Sequence, residues 1–131
     1  MKKDIDFPKV ENVGICAVRS DDGETWKVHL LNLHEEPLQN ILVSTRGYGR
    51  KKDQEVKTSE LRHFFEKVDA NSSLQIELIP KELQGLNNQY WVSFYFKEQI
   101  FDKKFIFLPD TLLEKNLVDL PVLGQKGILI I

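Results

Sequence analysis

The chain has one cysteine, Cys16, and so forms no intrachain disulfide. It has no Cys-x-x-Cys or His-x-x-x-His spacing, and His29, His34 and His63 do not fall into a metal-ligand pattern. No apolar run reaches the ~18 residues that a membrane-spanning helix needs. The start, MKKDIDFPKV, follows its lysines with Asp4, Asp6 and Pro8 rather than an apolar stretch, and does not read as a signal peptide. These absences lead to the expectation of a cytoplasmic chain with no membrane partner, metal or cofactor. Charge of one sign is missing too: 18 Lys and Arg against 20 Asp and Glu leave a net charge of -2. That excludes an acidic tail and binding of nucleic acid through overall basicity, and leaves only a local basic patch. There is no Gly-x-Ser-x-Gly, Walker sequence or dinucleotide fingerprint. Without repeats, low-complexity stretches or linkers, residues 1–131 read as a single domain, with residues 1–12 as a loosely ordered N-terminal arm.

What is present is alternation. Hydrophobic residues make up 41% of the chain, enough at 131 residues for an autonomous core. Residues 13–19 and 26–33 read as a hairpin around Asp22-Gly23, a pair that tolerates the positive φ of tight loops. In residues 38–48, Ile41 and Val43 share one face and Asn40, Leu42 and Ser44 the other. Leu74, Ile76 and Leu78 alternate with Gln75 and Glu77. Residues 90–97 and 100–108 form the strongest hairpin, dense in aromatics on both faces. Residues 119–123 are extended, and Ile128 to Ile131 either add a central strand or bury in a partner subunit. The expected fold is all-β: a two-sheet antiparallel β-sandwich of immunoglobulin-like architecture. Pro109 to Asn116 adds a short helix near residues 110–116, capped by Asp110 or Thr111 with Glu114 three residues after Thr111.

Residues 58–68 carry two patterns. Leu61, Phe64, Phe65 and Val68 stand at i, i+3, i+4 and i+7, the spacing of an amphipathic helix, which gives the alternative of an α+β domain. A capping box is absent, because Leu61 and Arg62 stand where its acid would. Val56, Thr58, Leu61, His63 and Phe65 fit a strand, and the neighbouring strands favour that reading.

Three groups of residues are candidates for chemistry. Arg46, Tyr48, Arg50, Lys51 and Lys52 form a basic loop over 46–52 with two glycines and an aromatic, a combination able to hold an anion or a nucleic-acid backbone. Asp53 and Glu55 dilute its charge. Arg62 and His63, beside Phe64 and Phe65, would serve a small enzyme if a pocket received them. Tyr90, Trp91, Ile128, Leu129 and Ile130 are candidate interface residues, since exposed aromatic and apolar faces drive association. Cys16 lies in an apolar run and reads as a buried, inert thiol. No catalytic residue is assigned.

The stretches Leu38-Gln39-Asn40-Ile41-Leu42-Val43-Ser44-Thr45-Arg46-Gly47-Tyr48-Gly49 and Thr58-Ser59-Glu60-Leu61-Arg62-His63-Phe64-Phe65 resemble a family of small uncharacterised proteins from Bacteroidetes-type bacteria. Leu86-Asn87-Asn88-Gln89-Tyr90-Trp91-Val92-Ser93-Phe94 and Asp102-Lys103-Lys104-Phe105 are similar too, so the resemblance spans most of the chain. Some such proteins carry a label naming a phenylalanyl-tRNA synthetase subunit. Nothing here resembles the catalytic motifs of that enzyme, and 131 residues cannot hold its catalytic domain. The resemblance implies a bacterial source and no activity or cofactor. The leading functional expectation is therefore a non-catalytic structural or protein-interaction domain, acting as a homodimer or with a protein partner. The 46–52 module and the enzyme near Arg62 and His63 are its rivals.

Overall fold

Alternate side chains turn inward along most of the chain and organise the described residues into ten strands. A computed structural model describes residues 9–131. Its strands are β1 (Val13–Arg19), β2 (Trp26–Asn32), β3 (Leu38–Lys51), β4 (Gln54–Lys57), β5 (Leu61–Val68), β6 (Ser72–Ile79), β7 (Asn87–Phe96), β8 (Gln99–Phe107), β9 (Val118–Asp119) and β10 (Lys126–Ile130). The first sheet has the order β6-β2-β1-β10-β9. In the second, β3 pairs with β7 and β7 with β8, while β5 and β4 lie one after the other along the far side of β3. All pairings are antiparallel. Ile15, Val28 and Leu30 of the first sheet meet Ile41, Val43, Val92, Phe94, Phe105 and Phe107 of the second in one buried core. This is the expected all-β, two-sheet arrangement.

The 58–68 segment is extended. β5 pairs with β3 from Leu38↔Val68 to Thr45↔Leu61, which turns Phe64 outward and packs Phe65 against the core. A helix would place both rings on one face, so the α+β alternative falls. The short helix expected near residues 110–116 shrinks to a single 3₁₀ turn, Glu114–Asn116. Asp110 adopts φ +65° and Leu113 is extended, a path that sends Leu112 into the core instead of starting a helix. Of the proposed N-terminal arm, residues 1–8 lie outside the described part. Val10 is buried in the core, and the Asn12 carbonyl accepts a bond from the Leu33 N–H at 2.8 Å.

The outer faces of the two sheets differ. On the first, Cys16, Val18 and Leu31 are buried beneath Leu120, with Leu33, Leu123 and Leu129 around them. The chain thus covers this face with its own segment around β9. Gly127 permits the close approach: a Cβ there would stand 2.5 Å from the Ala17 carbonyl oxygen and 2.5 Å from Leu120. Gly127→Ala is expected to lower stability by about 2 kcal/mol, as overpacking in a filled core does, and a denaturant titration measures it. On the second sheet, the described residues lay no such cover over the outer face.

Burial pushes the Cys16 thiol up to about 12 from its ordinary 9.0, outweighing a backbone hydrogen bond from His29 that lowers it. The native thiol is therefore expected to resist alkylation at pH 8 and to react once the chain is unfolded, which iodoacetamide labelling with mass spectrometry reads directly. The folded state holds this proton more tightly than the unfolded one. Its contribution to stability is full below pH 9 and is lost as pH rises toward 12.

Candidate functional site

The register of the second sheet assembles its outer face. Leu42 of β3 stands between Phe64 of β5 and Ser93 of β7, and Ser93 faces Asp102 of β8. In the next row Ser44 lies between Arg62 and Trp91, and Trp91 faces Lys104. Tyr95 and Ile100 form a third pair. Phe64 is 61% exposed, Ile100 56%, Trp91 44%, Leu42 41% and Tyr95 40%, so five large apolar side chains from four strands share one open surface. Trp91 is fixed in place: its indole N–H donates to Asp102, which also accepts from the Ser93 hydroxyl at 3.2 Å, and the Lys104 ammonium sits 5.2 Å from the ring centre. Orientation by polar neighbours holds an aromatic ready at low entropic cost.

A different site lies on the inner side of the same sheet. Between the edge strands β5 and β6 a cleft of about 370 Å³ opens, lined by Leu61, His63, Glu77, Leu78 and Tyr90 among others. The Glu77 carboxylate joins the sheets. Its Oε1 accepts from the Thr45 hydroxyl at 3.1 Å and from His63 Nε2 at 3.0 Å, and its Oε2 accepts from the Tyr90 hydroxyl at 3.0 Å. The His63 contact is a hydrogen bond in the tautomer that carries its proton on Nε2. Burial, then the Glu77 charge, raises the Tyr90 hydroxyl above its ordinary value. Glu77 reaches this position through a β-bulge. Val28 pairs with Glu77 but His29 with Gln75, leaving Ile76 as the extra residue on β6. Bulges re-aim side chains, and this one moves Glu77 from the solvent side expected by alternation to the inner side, while Leu78 is exposed.

Arg62 and His63 therefore lie on opposite faces, Arg62 outward beside Ser44 and His63 into the cleft. The 46–52 residues lie along the β3–β4 hairpin, where Tyr48 and Arg50 line one cavity together with Glu55 and Lys57. The Arg46 guanidinium stands 5.4 Å over the Tyr48 ring, Arg50 donates to the Asp53 carbonyl at 3.2 Å, and Lys51 is turned to the Glu82 carbonyl at 2.7 Å. Lys52 occupies the hairpin turn at φ +50°. Among the interface candidates only Trp91 belongs to the open face. Tyr90 and Ile128 are core residues, and Ile130 packs against the same core. Leu129 packs beside Cys16, because β10 is an interior strand between β1 and β9. The structure therefore places these four in or beside the core, away from the open face. Among the described residues no group of three or more His, Cys, Asp or Glu is placed to hold a metal ion, and no helix is long and apolar enough to cross a membrane.

Two sets of residues escaped the sequence reading. Leu42 carried a signal, an apolar residue on the polar face of its strand. Glu77 and Thr45 carried none, since nothing in the sequence marks the bulge. Comparison of the chain with known protein families, curated proteins and solved structures gave no match.

Proposed function

We propose that the protein is a non-catalytic interaction domain whose partner is a second copy of itself, docked on the outer face of the second sheet. The observation that carries this is the set of Phe64, Leu42, Trp91, Tyr95 and Ile100, gathered by strand register onto one uncovered surface. Contiguous apolar surface of this kind marks association sites, and tyrosine and tryptophan are frequent anchors in them. The charges on the face favour a copy of the same chain. Arg46, Arg62 and Lys104 stand among Glu60 and Asp102. A surface with both signs complements itself across a two-fold axis, whereas a polyanion would meet repulsion from the two carboxylates. Light scattering after size exclusion, at about 10 µM protein, is expected to give twice the 15.3 kDa chain mass. A monomer at that concentration overturns the reading.

A further inference from the structure

The cleft between β5 and β6 opens at the edge of the sandwich, apart from the docking face. An inward acid on an edge strand has one plain use, to blunt that edge against pairing with another chain. That use needs no cavity, yet about 370 Å³ stays hollow beside Glu77, within the ~300–1,000 Å³ range of small-ligand sites.

The chemistry of the cleft narrows its occupant. A carboxylate offers about four lone-pair sites. Thr45 and His63 take the two on Oε1 and Tyr90 takes one on Oε2, so the described residues leave one acceptor site on Oε2. Among the described residues the sole ion-pair partner of Glu77 is His63. Arg46, at the rim, has its guanidinium over the Tyr48 ring, and among the described residues no guanidinium pairs with the carboxylate. Leu61, Leu78, Pro80 and Leu83 give the cleft apolar walls. A ligand that fits must bring a hydrogen-bond donor, gains most if that donor is positive, and needs an apolar stem.

We propose that this cleft binds an alkylammonium group, from a free amine or a lysine side chain, with Glu77 as the anion and Leu61, Leu78, Pro80 and Leu83 packing the alkyl stem. Charge-assisted hydrogen bonding in a partly enclosed site supplies the selectivity.

Nitrogen-15 NMR titrations with hexylammonium chloride, hexanol, sodium hexanoate and Nα-acetyl-lysine methylamide test it. Hexylammonium is expected to give saturable shifts at the His63 and Glu77 amides, with hexanol and hexanoate at least about tenfold weaker. Glu77→Gln should weaken hexylammonium binding at least about tenfold. Leu61→Trp, which obstructs the mouth without altering the carboxylate, should do the same and decides alone if Glu77→Gln does not fold. Capped lysine binding as tightly as hexylammonium identifies a polypeptide lysine as the source, and weaker binding a free amine. The proposal is overturned by no saturable shift up to about 10 mM, by hexanol binding as tightly, or by unchanged affinity in the folded variants. The oligomeric state, read on the same samples, is independent of these outcomes.

Discussion

Phe64→Asp is expected to raise the dimer dissociation constant at least about 100-fold, a change of about 3 kcal/mol, and to leave the chain folded. Phe64 is 61% exposed and belongs to no core, so the monomer loses little. In the dimer, each copy of the substitution would bury a carboxylate against apolar side chains, beside Leu42 across the strand pair. Trp91→Ala should act in the same direction with a smaller effect, because it removes an anchor without adding a charge. Val122→Asp is the control. Val122 is also exposed, at 45%, but belongs to the segment that covers the other sheet. Sedimentation equilibrium of the three variants separates the outcomes. If Val122→Asp dissociates the dimer and Phe64→Asp does not, the docking face is elsewhere.

Glu77→Ala is expected to lower stability by about 2–4 kcal/mol, with Tm falling by roughly 10 °C. The change strands three donors at once. The hydroxyls of Thr45 and Tyr90 belong to buried residues and water reaches them poorly, whereas half-buried His63 can turn to solvent. The main cost is thus two unsatisfied hydroxyls rather than a lost surface ion pair, and salt should change it little. Tyr90→Phe removes one of the stranded donors. Glu77→Ala combined with Tyr90→Phe should therefore cost less than the sum of the two single changes, and a double-mutant cycle by urea unfolding measures the difference. Additive losses would show that the two residues act apart.

Much of the architecture was legible because burial here follows a period of two. Residues 13–19 coincide with β1, and the aromatic density of β7 and β8 announces the hairpin that sends Phe94, Phe105 and Phe107 into the core. Where the reading faltered, long-range packing was responsible. The helix-like spacing of Leu61, Phe64, Phe65 and Val68 is real, but β3 needs a partner along its free side, and pairing overrides local pattern. The turns Lys52-Asp53 and Lys97-Glu98 have positive φ at both residues without glycine, so β4 and the tip of the β7–β8 hairpin had weak local markers. The outer face was half legible: Trp91 and the apolar residues on both sides of its hairpin stood out, but the grouping of Leu42 with Phe64 needed the register. Glu77 was invisible because one bulged residue reverses which side every later residue of β6 faces.

The unequal wrapping of the two sheets has a consequence for regulation. The cover over Cys16 and Leu31 is tethered to the same chain, so it closes at any dilution. The cover proposed for Phe64 and Trp91 must arrive from solution and obeys mass action, with thermal stability rising as the protein is concentrated. One back of the sandwich is thus sealed by covalent connection, and the other, closed by a second copy as proposed, would gauge how much of the protein is present.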